Sequence, residues 1–294
     1  MSVAGVKAYK PYEVSEHLIE SSFVKETFRI RVLQPIRLAG DSETFPVLYL
    51  TDGDDYFDGI VSLTKSLQVC GEVPRFIVVG IGYSESGNAE ILRLRDLLTH
   101  EVRQNFLDVV NNLACSALIT GITSIERVTK TTDSIEFLRF VGDELMPFLQ
   151  ARYPINAGDN NYFGYSAGAT FGLHALFSRP QLFKRYILGS PALSYHGKNF
   201  GVELASKFVA LAQPAEASVF MSVGELEEFK YPEVGFVTGH YGLAKYLCSE
   251  KIPGLRLTLR VFSQETHATA WTLAFCHGAR ELFGPAAQVE FWPG

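Results

Sequence analysis

One short stretch of the chain constrains its fold more than any other: residues 164–168, which read GYSAG and match the pattern G-x-S-x-G. The β-prone pair Tyr162 and Phe163 precedes this stretch. Small and apolar residues follow it over 169–177 and are typical of a buried helix. The stretch therefore predicts a strand, a tight turn and a helix in direct succession, with a serine at the turn.

The serine of this turn, Ser166, has the surroundings of a nucleophile. In a nucleophile elbow the hydroxyl projects from a strained turn, and flanking glycines let the strand and helix approach because they lack Cβ atoms. The N–H of Ala167 would lie at the start of the helix, where unpaired donors and the helix dipole favour an oxyanion. The five-residue pattern also occurs by chance in loops, so the rest of the chain must supply context.

Strand and helix patterns alternate along most of the chain. Predicted strands lie at 28–33, 46–51, 76–81, before Ser166, and at 186–188, 219–221 and 255–262. Predicted helices lie at 60–67, 135–149, 202–211, 242–247 and 268–282. This alternation predicts an α/β fold with a mostly parallel central sheet and helices on both faces. The length of 294 residues suits a single domain over 1–294.

The stretch 84–132 is less regular than its surroundings. It contains polar turns and one predicted helix, at 101–113. Two interpretations stay open: a cap-like insertion over the site, or an ordinary connection between a strand and a helix.

Composition and charge argue against several classes of protein. The net charge is −6 and no basic patch is present, which argues against nucleic acid as a partner. Residues 1–7 lack the pattern of a signal peptide, and no apolar stretch approaches membrane-spanning length. The four cysteines form no CxxC, which favours reduced thiols over zinc or disulfides. We expect a cytoplasmic protein without membrane, metal or cofactor; homo-oligomer formation stays open.

A serine nucleophile needs a base, a group that orients the base, and an oxyanion hole. His267 follows the predicted strand 255–262 by a short loop and precedes a helix, which would place it beside the elbow. His174 and His277 lie inside helical patterns, and His196 precedes every candidate acid. We therefore predict His267 as the base.

A count of aspartates reduces the number of candidates for the acid, because no aspartate follows Asp159. An acid between the serine and the base must then be a glutamate. A predicted strand ends at Gly224, and Glu225, Glu227 and Glu228 follow it. Glu227 is the first choice, with Glu225 and Glu228 as alternatives. A solvated acidic turn is the other interpretation, because charge clusters are usually exposed.

The second oxyanion donor should come from the loop after an early strand. The strand 46–51 leads into Asp52, Gly53, Asp54 and Asp55, and the N–H of Asp54 is the candidate donor. These aspartates also resemble a metal-binding cluster. Because no histidine or distant acid accompanies them at ligand spacing, we favour a turn built by aspartate and glycine.

Together these residues resemble the putative-esterase family of α/β-hydrolases, which includes enterochelin esterase-like and S-formylglutathione hydrolase-like enzymes and the related mycolyltransferases. The matching segments are 46–54, 93–99, 144–148, 152–154, 164–168, 189–193, 223–227 and 265–268 with Trp271. The resemblance is strongest to enterochelin esterase-like members. Tyr165 departs from the family, in which many members carry histidine there, and the glycine run after the serine is shorter. Some relatives work with a Ser–His pair, so a full triad is not implied.

The resemblance implies an α/β-hydrolase fold and a serine carboxylic-ester hydrolase that acts through an acyl-enzyme. Ser166 would attack the ester, His267 would take its proton, Glu227 would orient His267, and the amides of Asp54 and Ala167 would hold the oxyanion. The substrate would be a small to medium ester, such as a siderophore-type lactone or an aromatic ester.

Aromatic residues near these positions predict an apolar or aromatic acyl or alcohol group. The candidate substrate contacts are Tyr56, Phe57, Tyr165, Tyr195 and Trp271. Ordinary core packing is the alternative for at least half of them. Two other functions stay open: acyl transfer to an alcohol with the same residues, and a non-catalytic binding protein on this fold.

Overall fold

A computed structural model describes residues 12–37, 42–84, 89–99, 134–195 and 198–285 of the chain. The strands of its main sheet are β1 (Tyr12–Glu20), β2 (Thr27–Pro35), β3 (Phe45–Leu50), β4 (Ile77–Tyr83), β5 (Ile155–Tyr165), β6 (Arg185–Gly189), β9 (Ser218–Gly224) and β10 (Arg256–Phe262). A separate small ribbon pairs β7 (Ser194–Tyr195) with β8 (Lys198–Asn199).

The helices lie between these strands along the chain, except the last one, which follows β10. They are α1 (Gly53–Val69), α2 (Ala89–Leu97), α3 (Ser134–Arg139), α4 (Met146–Gln150), α5 (Ala167–Ser178), α6 (Phe200–Val209), α7 (Glu227–Lys230), α8 (Phe236–Glu250) and α9 (Ala270–Phe283). A π-helical segment, Phe140–Leu145, joins α3 to α4. Among the described helices, none combines the length and apolar character needed to span a bilayer.

The spatial order of the main sheet is β1-β2-β4-β3-β5-β6-β9-β10. The pairs β1–β2 and β2–β4 are antiparallel. Every other neighbouring pair is parallel. The predicted α/β fold with a mostly parallel sheet is therefore confirmed. Because parallel strands end on the same edge, the loops after β3, β5, β6, β9 and β10 come together there.

Helices cover both faces of this sheet. On one face Phe57 and Ile60 of α1 and Phe275 of α9 pack into a shared apolar cluster. On the other face Phe171 of α5 and Phe208 of α6 belong to a second cluster. The central strands β3 and β4 are almost fully buried because both of their faces are covered, which explains their continuous apolar runs.

The strand β1 differs from the sequence expectation, because we predicted no strand there. It lies at an edge of the sheet, and its burial alternates between partly buried and exposed residues. A half-exposed edge strand carries no continuous apolar run, so the pattern used for the central strands does not detect it.

Within 84–132 the structure describes residue 84 and 89–99, including α2. The predicted helix 101–113 lies outside the described residues.

Candidate active site

Ser166 lies at the tip of the turn between β5 and α5, with φ 56° and ψ −120°. A positive φ is rare for a residue with a Cβ, and strain of this kind gathers at functional sites. The Ser166 N–H donates to the carbonyl oxygen of Gly189 at 2.9 Å, which fastens the turn to β6. The predicted strand, turn and helix are therefore confirmed, with a partly exposed serine at the tip.

Packing explains both glycines of the G-x-S-x-G pattern. A Cβ on Gly164 would overlap the carbonyl oxygen of Gly168, and a Cβ on Gly168 would overlap Oγ1 of Thr51. The hydroxyl of Tyr162 fills the remaining space and donates to the Gly168 carbonyl at 2.7 Å. Only glycine fits at these two positions, because β5 and α5 pack closely against each other at the elbow.

Glu227 meets His267 as the sequence predicts. The Nδ1 atom of His267 lies 2.6 Å from Oε2 of Glu227. The Glu227 side chain is fully buried, whereas 27% of the His267 side chain is exposed. The other carboxylate oxygen, Oε1, accepts from the N–H of Gly224 at 2.8 Å and from Oγ of Ser190 at 2.6 Å.

The two alternative acids bind other groups. The Glu225 carboxylate accepts from Oγ of Ser263 and from the N–H of Gln264. These hydrogen bonds lower the pKa of Glu225, the Gln264 bond most. The Glu228 carboxylate accepts hydrogen bonds from the N–H groups of Val237 and Thr238. Among the three glutamates, Glu227 is the one that contacts the imidazole.

The loop that carries the acid is joined to the loop that carries the base. The N–H of Glu225 donates to the carbonyl of Phe262 at 2.9 Å, and the N–H of Leu226 donates to the carbonyl of Glu265 at 3.0 Å. A Cβ on Gly224 would lie 2.6 Å from that same Glu265 carbonyl oxygen. Glycine at the end of β9 therefore allows the two loops to lie in direct contact.

Aromatic rings surround the imidazole of His267. The hydroxyl of Tyr165 donates to the backbone carbonyl of His267 at 2.7 Å, and the two rings lie 5.0 Å apart. The ring of Phe236 lies 5.0 Å from the imidazole and that of Tyr231 lies 6.2 Å away. Because Tyr165 directly precedes the nucleophile, this contact brings the base loop against the elbow.

The candidate oxyanion donors lie at the starts of two helices. Asp54 is in the first turn of α1, which follows β3, and Ala167 is the first residue of α5, which follows β5. These strands are parallel neighbours, so the helix starts lie on the same edge. The carbonyl of Asp52 accepts from the N–H groups of Asp55 and Tyr56. The N–H of Asp54 comes before these two in the helix, where helix geometry supplies no acceptor. This N–H therefore suits the predicted role of oxyanion donor.

The aspartates of this loop take part in ion pairs. The Asp52 carboxylate binds the guanidinium of Arg93 through two contacts, of 2.7 and 2.9 Å. Asp52 has φ 54°, so this pair holds a left-handed residue where α1 begins. The Asp54 carboxylate pairs with Arg29 and accepts the N–H of Tyr83 at 2.7 Å. The carboxylates of Asp52 and Asp54 thus bind arginines, at a place where the sequence predicted a turn and the structure begins α1 at Gly53.

The predicted substrate contacts separate into two groups. Tyr56 and Trp271 are partly exposed and their rings lie 5.3 Å apart, so they remain candidates. The prediction is wrong for Phe57, which is fully buried in the core against the sheet. It is also wrong for Tyr165, which is 1% exposed and directs its hydroxyl at the His267 backbone. The side chain of Tyr195 lies outside what the structure describes.

Sequence reasoning missed two groups that touch the site. Ser190 donates to the buried acid, and Arg93 holds the loop of the candidate oxyanion donor. Both residues fall in segments that match the family, 189–193 and 93–99, so the resemblance was the available signal. Nothing in the residue types themselves points to these contacts.

Comparison with known proteins places the chain in a family. The family model described as "Putative esterase" matches residues 21–233, and the chain belongs to that family. The α/β-hydrolase fold agrees with a solved structure, the siderophore hydrolase EstB from Aspergillus nidulans. It superposes with a TM-score of 0.73 at 18% identity, covering 96% of this chain and 98% of that chain.

Two curated relatives are similar over part of their length. The ferri-bacillibactin esterase BesA of Bacillus subtilis is 25% identical over 201 residues, which are 63% of this chain and 61% of that protein. The siderophore triacetylfusarinine C esterase of Aspergillus fumigatus is 27% identical over 177 residues, which are 57% of this chain and 52% of that protein. The matched regions thus span between half and two thirds of these relatives.

Proposed function

We propose that this protein is a serine carboxylic-ester hydrolase that acts on a small to medium ester, such as a siderophore-type lactone or an aromatic ester. The observation that carries the proposal is the 2.6 Å contact between His267 Nδ1 and the buried Glu227 carboxylate, on loops joined to the strained Ser166 turn. Membership of the esterase family supports the reaction class. The names of the two curated relatives support the substrate class.

The hydrogen bonds determine which imidazole nitrogen acts as the base. The Glu227 carboxylate accepts hydrogen bonds from the N–H of Gly224 and from Oγ of Ser190 at its other oxygen, Oε1. A carboxylate only accepts, so Nδ1 of His267 carries the proton in this contact. The remaining nitrogen, Nε2, is then unprotonated and can take a proton from serine.

The reaction would proceed in two halves. Ser166 Oγ attacks the ester carbonyl carbon while Nε2 of His267 takes the hydroxyl proton, and Glu227 stabilises the imidazolium. The N–H groups of Asp54 and Ala167 bind the oxyanion. As the carbon–oxygen bond breaks, Nε2 returns the proton to the leaving alcohol. Water then attacks the acyl-enzyme, His267 takes its proton, and the acid is released as Ser166 regains its hydrogen.

Partly exposed aromatic rings support an aromatic or apolar substrate group. Tyr56 contacts Trp271, with ring centroids 5.3 Å apart, and also approaches buried Tyr165 at 5.8 Å. Because Tyr165 touches the base, the Tyr56 and Trp271 pair lies close to the proposed reaction centre. A flat aromatic acyl group would stack on such a pair.

Acyl transfer to an alcohol uses the same residues and is the second candidate function.

We also propose a cytoplasmic location, which the free thiols of Cys70, Cys248 and Cys276 support. A small-molecule ester is the proposed partner.

The substrate class is tested by comparing kcat/KM for a catecholate trilactone, a simple aromatic ester, an acetate ester and a thioester. We expect the trilactone and the aromatic ester to react fastest and to release free acid. A matched series with added alcohol tests transfer, because a new ester product would favour the second candidate. Preference for the acetate ester or thioester by more than tenfold would contradict the proposed substrate class.

A further inference from the structure

Two buried hydroxyls lie beneath the His267–Glu227 pair. Ser190 is 0% exposed and Tyr165 is 1% exposed, so neither is placed to touch a substrate. Ser190 Oγ lies 2.6 Å from Oε1 of Glu227 and 3.1 Å from the Tyr165 hydroxyl. The Tyr165 hydroxyl lies 2.7 Å from the carbonyl oxygen of His267. The two hydroxyls thus lie between the acid and the backbone of the base.

A count of protons shows which acceptor each hydroxyl binds. Each hydroxyl carries one hydrogen, whereas the His267 carbonyl and the Glu227 carboxylate can only accept. Burial, and next the nearby Glu227 charge, raise the pKa of Tyr165, so it stays protonated and donates to the carbonyl. Ser190 then donates to Glu227, because a shorter bond to a charged acceptor is stronger than a 3.1 Å contact with a neutral oxygen.

The backbone of Ser190 is held in an unusual conformation. Its φ is 48°, in the left-handed region that residues with a Cβ rarely adopt. The Ser190 N–H donates to the carbonyl of Ser222 at 2.7 Å, which joins the ends of β6 and β9. The residue before it, Gly189, accepts the N–H of Ser166. One turn therefore touches the nucleophile through its backbone and the acid through its side chain.

We propose that Ser190 and Tyr165 are positioning residues for the His267–Glu227 pair. Ser190 fixes Oε1 of Glu227 so that Oε2 faces Nδ1, and Tyr165 fixes the backbone of the base against the elbow. This proposal rests on the proposed ester hydrolysis, through which positioning is measured.

Loss of the Ser190 hydroxyl has two expected effects. The carboxylate keeps one donor on Oε1, the N–H of Gly224, and can rotate away from Nδ1. We expect kcat to fall roughly 10- to 100-fold with KM unchanged, because misplacement of catalytic groups acts on the reaction step. A carboxylate that has rotated away from Nδ1 also stabilises the imidazolium less. The acid limb of the pH–rate profile therefore moves to lower pH.

The experiment compares variants that remove one hydroxyl each. Ser190→Ala removes the hydroxyl, and Ser190→Gly removes it while relaxing the positive φ. Ser222→Ala is the matched control, because its buried hydroxyl has no hydrogen-bond partner among the described residues. Tyr165→Phe is paired in the same way with Tyr49→Phe. Unfolding curves show which variants are folded, and kcat, KM and the pH profile are measured on those.

The proposal expects low kcat in Ser190→Ala, Ser190→Gly and Tyr165→Phe, and near wild-type kcat in both controls. Recovery in Ser190→Gly alone would show that backbone strain, not the hydroxyl, causes the loss, and would overturn the Ser190 role. An unmoved acid limb of the pH–rate profile with raised KM would also overturn the Ser190 role, because these results would indicate a purely structural effect. Wild-type kcat in Tyr165→Phe would overturn the Tyr165 role.

Ser166→Ala is included to separate this proposal from the function on which it rests. If Ser166→Ala is inactive and the Ser190 variants behave like Ser222→Ala, the positioning proposal alone fails. If Ser166→Ala keeps its activity, the proposed serine hydrolase mechanism itself fails.

Discussion

One carboxylate oxygen of Glu227 binds the imidazole of His267, and the other oxygen binds donors that fix the carboxylate in place. Oε2 lies 2.6 Å from Nδ1 of the imidazole, while Oε1 accepts from a backbone N–H and a buried hydroxyl. The carboxylate is fully buried and the imidazole is partly exposed. The orientation of the base is thus determined from inside the protein.

Glu227→Gln should keep the fold and lower kcat by roughly 10²–10⁴, because an acid that orients the base contributes less than the nucleophile. The amide keeps the size of the side chain but removes the charge that stabilises the imidazolium. Steady-state kinetics on an aromatic ester measure the effect.

The neighbouring glutamates are matched controls for that variant. Glu225→Gln and Glu228→Gln make the same chemical change on carboxylates that bind Ser263 or Val237 instead of the imidazole. We expect both to stay within about threefold of wild-type kcat, because neither carboxylate orients the base and such substitutions usually have small effects. A larger loss in either control than in Glu227→Gln would move the acid role to that residue.

His267→Ala should be nearly as damaging as loss of the nucleophile, with kcat lower by roughly 10⁴–10⁶. His277→Ala is the control. His277 lies in α9 against the ring of Phe262, 5.2 Å away, and its pKa is lowered by burial and nearby arginines. Full activity in His267→Ala, or loss confined to His277→Ala, would show that the base is assigned wrongly.

Gly164→Ala should disrupt the elbow, because its Cβ would overlap the carbonyl oxygen of Gly168. We expect activity to fall at least about 100-fold, since a shift of about 1 Å in catalytic groups has this effect. Gly158→Ala is the control in the same strand, because its Cβ would meet its nearest neighbour at 3.5 Å. Activity and thermal unfolding of the two variants measure the difference, and equal behaviour would contradict the packing argument.

His174 should make stability depend on pH. This histidine is buried in α5, and burial lowers its pKa from 6.5 to about 4. Its contribution to stability is therefore complete above pH 6.5 and is lost as the pH falls towards 4, because the unfolded chain binds the proton first. Between pH 7 and pH 5 this group alone should reduce the free energy of unfolding by about 2 kcal/mol.

His174→Leu removes this titration and leaves the carboxylates unchanged. Urea unfolding of both proteins at pH 7 and pH 5 gives the two losses in the free energy of unfolding. The variant should lose about 2 kcal/mol less than the wild type over this range. Equal losses would show that His174 does not titrate in this way.

The sequence predicts the central fold well because the central strands are buried on both faces. Continuous apolar runs at 46–51 and 76–81 correspond to β3 (Phe45–Leu50) and β4 (Ile77–Tyr83). The edge strand β1 was missed because exposed strands carry polar residues. The contact of Glu227 was predictable for an unusual reason: the absence of later aspartates left few candidates.

Side-chain direction was harder to predict than chain path. Tyr56 and Phe57 are adjacent on α1, where successive residues point about 100° apart, so one is partly exposed and the other is buried. The helix phase depends on its start at Gly53, which the sequence pattern did not define. Tyr165 and Ser190 lie below the site because the strand ends turn there, and no local pattern signals their contacts.

If Ser166 is the nucleophile, a reagent that reacts covalently with activated serines should label it. The folded protein is treated with a fluorophosphonate, and mass spectrometry locates the adduct, with Ser166→Ala as the control. We expect a single adduct on the peptide that contains Ser166, activity that falls in proportion to labelling, and no adduct in Ser166→Ala. Labelling of another residue with parallel loss of ester hydrolysis, or full activity in Ser166→Ala, would show that Ser166 is not the nucleophile.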